Sequence, residues 1–280
     1  MKTFWIRTAS AAVYVLLFLG TLYSGRLTGN ALLGQLLFGA FLLFVTVGCT
    51  YEFFRMVKQQ GAVPCRPLGY IYAVLTLSVF VAVPFLGLSA FLLMLVAYML
   101  FPALFGLSAI VQLWNHSEQP FREAAYTMVP MLYAALPLAL MVVLVGNQGE
   151  HALLMLVAMV WVNDSGAYIG GSLFGKHKMW LRHSPGKTWE GTAFGVLLSA
   201  LFGVFVGPLL VPAVAWYHWL VLALICSMAG TLGDLVESML KRSVGVKDSG
   251  NIMPGHGGFL DRFDSLLVIM PFVCIYLFLM

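Results

Sequence analysis

The stretch A-L-L-G-Q-L-L-F-G-A-F-L-L-F-V-T-V-G-C-T, residues 31–50, carries no charge and decides the fold class. A helix that crosses the hydrocarbon core of a bilayer needs about 20 mainly apolar residues. Such a helix is favoured there because it pairs every backbone polar group within its own span. Similar stretches lie near 9–24, 68–86, 88–112, 125–145, 151–172, 192–213, 216–238 and 264–280. Together they occupy about two-thirds of the chain, which leaves loops and no room for an independent soluble domain. The expectation is an all-α, polytopic integral membrane helical bundle of about nine transmembrane helices.

Composition agrees. Of 280 residues, 61% are hydrophobic and only 9% are Asp, Glu, Lys or Arg, against roughly 45–50% and 25% in a soluble domain. So little charge excludes a cytoplasmic enzyme, a disordered chain and a secreted disulfide scaffold. Cys49, Cys65, Cys226 and Cys274 are dispersed with no C-x-x-C pair, and read as small apolar fillers rather than disulfides or a zinc site. A net charge of +4 without a long basic run or a basic–aromatic stripe argues against nucleic acid as a partner. Lys2 and Arg7 before an apolar run read as a retained first helix rather than a cleaved signal peptide.

The basic residues orient the bundle, since basic loops stay cytoplasmic. Lys2 and Arg7 precede span 1, Arg55, Lys58 and Arg66 follow span 2, and Arg122 follows span 4. Lys176, Lys178, Arg182 and Lys187 follow span 6, and Lys241, Arg242, Lys247 and Arg262 follow span 8. In a nine-span arrangement all of these fall on one side and only Arg26 lies opposite. The N-terminus is expected in the cytoplasm. Residues 1–150 read as a transmembrane scaffold of about five helices. Residues 151–280 read as a catalytic region of about four helices, with cytoplasmic loops at 173–191 and 239–263.

Charge concentrates in that second region. Residues 161–264 hold 15 of the 26 charged side chains, seven of the eleven carboxylates among them. In W-V-N-D-S-G-A-Y, Asn163 and Asp164 lie in or near the end of an apolar span. A carboxylate at mid-membrane costs at least about 2.5–3.5 kcal/mol on insertion scales, so it faces a polar cavity or reaches interfacial water. In G-T-L-G-D-L-V-E-S-M-L-K-R, Asp234, Glu237, Ser238 and Lys241 fall on one helical face at i, i+3, i+4 and i+7. A solvated helix end could show such a stripe too, but Asp234 lies about two turns inside the last basic residue, too deep to be free surface. Hard oxygen ligands of this type suit Mg²⁺.

The loop K-D-S-G-N-I-M-P-G-H-G-G-F-L-D-R-F-D ends with Asp261 and Asp264 at i and i+3. Carboxylates at a helix start also serve the dipole. Gly255, Gly257 and Gly258 let backbone N–H groups approach an anion, and His256 between them can touch phosphate, transfer a proton or order the loop. G-K-T at 186–188 is not a P-loop, because Leu181 stands where the first glycine is required. Ser184, Lys187 and Thr188 still offer phosphate donors, and Lys176 and Lys178 serve equally as a basic membrane anchor. Carboxylates for a divalent cation beside lysines, arginines and glycine-rich backbone point to phosphoryl or nucleotidyl transfer between a nucleotide and a lipid.

The segment from Ser238 to Asp264, S-M-L-K-R-S-V-G-V-K-D-S-G-N-I-M-P-G-H-G-G-F-L-D-R-F-D, resembles the signature of the phosphatidate cytidylyltransferase (CDP-diacylglycerol synthase) family. D-S-G-A-Y from Asp164 and S-P-G-K-T-W-E-G from Ser184 are similar to further motifs of that family, and Met253 stands where Leu or Ile is usual. The resemblance implies CTP and phosphatidic acid as substrates, CDP-diacylglycerol and pyrophosphate as products, and Mg²⁺ with a second, monovalent cation such as K⁺. It implies Asp234 and Asp261 as metal ligands and Asp234, Lys241, Asp248, His256, Asp261, Arg262 and Asp264 as the catalytic set. Substrate binding falls to Asp164, Ser165, Ser184, Lys187, Thr188, Ser238, Arg242, Lys247, Gly257 and Gly258. Membrane lipids are further partners, a homodimer is an admissible assembly, and the site faces the cytoplasm (of a bacterial cell membrane if the chain is bacterial). The alternatives are an ion-coupled transporter using Asp164 and Asp234, or a paralogous lipid nucleotidyl- or phosphotransferase.

Overall fold

The computed structural model describes residues 2–86, 90–115, 117–250, 252 and 257–280, with side chains described outside 2–9, 83–86, 90–94 and 96–98. In chain order the helices are α1 (Lys2–Leu22), α2 (Ser24–Thr28), α3 (Ala31–Gln59), α4 (Arg66–Leu86), α5 (Ala90–Asn115) and α6 (Pro120–Val129). A π-helical turn, Pro130–Ala135, leads into α7 (Leu136–Gln148) and α8 (Glu150–Phe174). A hairpin of β1 (Lys178–Trp180) and β2 (Ser184–Thr188) precedes α9 (Trp189–Leu210), α10 (Trp216–Ser243) and α11 (Leu260–Leu279).

Each apolar stretch of the sequence overlaps one or more of these helices, 9–24 running from α1 into α2 and 125–145 through α6, the π turn and α7, while residues 88 and 89 of the 88–112 stretch lie outside the described residues. Pro130 opens the π turn; proline lacks the N–H that would donate to the preceding turn, so the ladder of hydrogen bonds shifts there. Among the described residues six helical segments are long and apolar enough to cross a membrane: α3, α6 to α7, α8, α9, α10 and α11. Helices α1, α4 and α5 contribute shorter apolar stretches, Ser10–Leu22, Arg66–Ala82 and Met99–Asn115. The chain is an all-α, multi-pass membrane protein.

The chain packs as two compact units, residues 1–146 with 248–262, and residues 147–247 with 263–280. In the first, Phe18 of α1 meets Phe38 and Phe41 of α3 edge-on, and Tyr72, Met128 and Met131 form an apolar cluster with Leu68, Leu104 and Phe105. The turn before α4 is tied down by α6. The buried Glu123 carboxylate accepts the Val63 N–H at 2.7 Å, and Thr127 Oγ1 accepts that of Cys65 at 3.0 Å.

In the second unit α9 lies against α8 and α10. Its buried positions, Gly191, Gly195, Ser199, Gly203 and Gly207, recur every four residues and form one narrow stripe. Small residues at that spacing let helix backbones touch, which drives helix association where lipid supplies no hydrophobic force. The opposite side of α9 carries Leu201, Phe205 and Leu209, all exposed. An apolar exposed face and a small-residue buried face invert the pattern of a water-soluble helix, as expected for a helix whose outer solvent is lipid. Ser199 Oγ donates to the Met159 carbonyl of α8 at 3.1 Å.

Gly195 is the tightest test of this packing. A Cβ there would stand 2.5 Å from the Asn163 carbonyl oxygen and 3.0 Å from the Ala167 nitrogen, both backbone atoms of α8 that cannot turn aside. Gly195→Leu should force α8 and α9 apart and destabilise the detergent-solubilised protein by about 1–3 kcal/mol or more. Thermal unfolding followed by size-exclusion chromatography checks it. A variant as stable as the parent would contradict the contact.

Candidate functional site

Helix α10 continues to Ser243, so the whole acidic–basic stripe lies on regular helix. Glu237 is fully buried and pairs with Lys241 one turn later, Oε2 to Nζ 2.5 Å. One turn earlier, Asp234 Oδ1 accepts from Ser238 Oγ at 3.3 Å. Across from α10, Asp264 of α11 joins them: one oxygen each from Asp234, Glu237 and Asp264 lie within 4.8 Å of one another. Two backbone contacts explain how α11 comes so near. A Cβ on Gly233 would meet Asp264 O at 2.7 Å and Ser265 Cα at 3.0 Å, so only glycine lets the helices approach this closely.

Three carboxylates at that spacing repel. At about 5 Å and an effective dielectric near 20, each like-charged pair is worth about 3 kcal/mol of repulsion. Two ammonium groups offset it. Lys187, from β2 of the hairpin, reaches Asp234 Oδ2 at 2.6 Å and donates to the Thr231 carbonyl at 3.2 Å. Lys241 holds Glu237. Asp164 of α8 lies within electrostatic reach of Lys187, Asp234 and Asp264, and Asn163 Nδ2 approaches its Oδ1 at 3.4 Å. Hard oxygens clustered beside lysines form a set that can hold a divalent cation.

The hairpin that delivers Lys187 is anchored at both ends. Glu190 in the first turn of α9 accepts the backbone N–H of Lys176 and His177 at 3.2 Å, and its Oε1 lies 2.5 Å from His177 Nδ1. Thr188 caps α9, its Oγ1 accepting the Gly191 N–H at 3.2 Å. Thr188, expected among the substrate-binding residues, therefore has a structural task already. Ser184 is half-buried on β2, Ser165 exposed on α8, and Arg242 donates to the Val246 carbonyl at 3.2 Å. Lys247 is exposed beyond the end of α10.

Part of the signature segment belongs to the first unit. Asp261 Oδ2 accepts from Ser249 N at 2.9 Å, Ser249 Oγ at 2.9 Å and Gly258 N at 2.7 Å. Gly257 has φ +79°, a backbone that only glycine adopts without strain. Asp248 and Arg262 are exposed. His256 lies outside the described residues. The two aspartates that the sequence places one helical turn apart thus serve different neighbours, Asp261 the loop before α11 and Asp264 the cluster with Asp234 and Glu237.

One residue of this region escaped the sequence reading. Glu52 of α3 is fully buried. Its Oε1 accepts from Phe259 N at 2.9 Å and its Oε2 from Leu260 N at 3.0 Å, and the single Ser249 hydroxyl proton is shared between Oε2, 2.8 Å away, and Asp261 Oδ2. The signal was a carboxylate just past the apolar stretch 31–50, easily taken for the helix leaving the membrane; α3 runs on to Gln59.

The class these features define is a multi-pass helical membrane protein with carboxylates and lysines gathered between packed helices. A model of the cytidylyltransferase family matches residues 5–280. The chain belongs to that family. Proteins named phosphatidate cytidylyltransferase are similar to it. That of Staphylococcus saprophyticus subsp. saprophyticus is 41% identical over 157 residues, 56% of this chain and 60% of the relative. One from Staphylococcus epidermidis is 48% identical over 136 residues, 47% of this chain and 50% of the relative. That of Bacillus subtilis is 48% identical over 115 residues, 41% of this chain and 43% of the relative. The matches span about half the length of these relatives.

The Lys187–Asp234 pair carries a measurable coupling. Lys187→Met and Asp234→Asn should each change thermal stability in chelator, and the double variant should miss the sum of the two by about 0.5–1 kcal/mol. Strictly additive changes would contradict the pairing.

Proposed function

We propose that this chain is a nucleotidyltransferase that joins CTP and phosphatidic acid, giving CDP-diacylglycerol and pyrophosphate for phospholipid synthesis. The observation that carries the reading is the Asp234–Glu237–Asp264 cluster with its two lysines, in a chain of the cytidylyltransferase family. The likeness to proteins named phosphatidate cytidylyltransferase supports the choice of lipid.

Two anions must meet in this reaction. An oxygen of the phosphatidate phosphate attacks the α-phosphorus of CTP, the bond from that phosphorus to the β-bridging oxygen breaks, and pyrophosphate leaves with the electron pair. A phosphate monoester dianion is already a nucleophile, so no protein nucleophile is required and transfer is direct and in line. The chain's own work is to position and to neutralise. Lys187, Lys241, Arg242 and Lys247 supply positive charge to the triphosphate and the lipid phosphate; Ser184, Ser165 and Asp164 border the same region of the sequence. The donor chemistry of Asp234, Glu237 and Asp264 fits Mg²⁺, which when bound neutralises phosphate charge as the leaving group departs. Asp261 as a metal ligand, the roles of Asp248, His256, Arg262, Gly257 and Gly258, and a second, monovalent cation rest on the resemblance of the signature segment alone. The basic loops support a site facing the cytoplasm, with CTP entering from that side.

The test uses purified protein, phosphatidic acid and CTP, with the CDP-lipid scored. Asp234→Asn and Asp261→Asn should each lower turnover by about a hundredfold or more while the protein still inserts in membranes. Near-normal turnover of Asp234→Asn at low Mg²⁺ would sink the cluster's role. The same result for Asp261→Asn would remove that residue from the ligand set. Lys187→Ala should weaken binding or rate; unchanged kinetics for both substrates would return the hairpin to a topological part.

A further inference from the structure

Helix α11 begins without a side chain that can cap it. Phe259 stands at the cap position, and the first N–H groups of a helix have no partners within the helix. Asp261, in the first turn, reaches back to the Gly258 N–H just before the cap. The acceptor for the helix start itself comes from α3. Glu52 accepts the N–H groups of Phe259 and Leu260, and the Ser249 hydroxyl stands between its carboxylate and that of Asp261. The Glu52 carboxylate also fills the space that a Cβ on Gly250 or Gly258 would need. A carboxylate fully buried in an apolar helix is unfavourable unless donors surround it. Here three donors and the positive end of a helix dipole do so.

We propose that Glu52 is a positioning residue for the transfer reaction, a cap delivered from another helix that fixes the backbone at Ser249 and from Gly258 to Asp261. The glycines flanking it are the counterpart of that carboxylate: Gly250 and Gly258 are required so that Glu52 can enter. This rests on the proposed function. It assigns to the first 150 residues a direct part in shaping the signature segment, through hydrogen bonds to residues about 200 positions later.

Glu52→Gln is the sharp variant because it keeps size and shape. Oε1 faces one backbone N–H, and Oε2 faces another plus a hydroxyl. Either orientation of the amide therefore turns an NH₂ group toward a backbone donor. In detergent-solubilised full chain, hydrogen exchange at residues 258–261 should accelerate by about tenfold or more, with exchange in α8 to α10 unchanged. In the CTP and phosphatidic acid assay, normalised to folded protein, kcat should fall about tenfold or more while KM for CTP stays within about threefold. Glu52→Ala should be worse in both. Unchanged exchange overturns the capping. Faster exchange with unchanged kcat overturns the positioning role and leaves a purely structural one. A parent that forms no CDP-lipid overturns the proposed function instead, and the exchange measurement then still decides whether Glu52 holds the loop.

Discussion

Everything in the second unit is arranged around one electrostatic problem, that Asp234, Glu237 and Asp264 stand together between apolar helices. Carboxylates so placed repel by several kcal/mol in total at any realistic dielectric, and each would cost more if it were left without partners. The fold answers with ammonium groups brought from two directions. Lys241 comes from the next turn of the same helix, and Lys187 comes from a hairpin stitched to α9 by Glu190 and Thr188. Gly233 closes the distance between α10 and α11 that lets Asp264 join. The stripe of small residues on α9 holds α8, and with it Asp164, against the same group of helices.

The first unit meets a related problem in a different way. Glu52 and Asp261 are also carboxylates close to one another, yet their partners are backbone N–H groups and a serine hydroxyl. Of the glycines expected to open backbone N–H groups to an anion, Gly258 presents its own to Asp261, and the nearby N–H groups of Ser249, Phe259 and Leu260 also meet Asp261 or Glu52. The anion that Gly258 and Phe259 meet is a side chain.

Much of the fold was legible because hydrophobic length is a one-dimensional signal. The run from Ala31 to Thr50 needs no tertiary information to be read as a membrane helix, and the same holds for the five other segments that are long and apolar enough to cross among the described residues, against about nine expected. The stripe Asp234, Glu237, Ser238 and Lys241 was legible for a similar reason, since the period of an α-helix brings them to one face. What escaped the sequence depends on contacts between distant segments. Glu52 and Leu260 are joined by no periodicity. The exchange of partners between Asp261 and Asp264 follows from which chain segments pack beside each, although the two lie on one helical face by spacing. Thr188 read as a phosphate donor because a threonine after G-K invites it; that it caps α9 follows from where the hairpin ends. The π turn that Pro130 opens lay inside an apolar stretch with nothing but the proline to mark it.

The central claim is that these charges serve nucleotidyl transfer to a lipid phosphate. Partition of label tests it most directly. The purified chain is given phosphatidic acid vesicles, Mg²⁺ and CTP labelled at either the α or the γ phosphorus. The account predicts that the α label enters the lipid and the γ label leaves as pyrophosphate. Label from the γ phosphorus in the lipid, or no lipid label from either position, would contradict it.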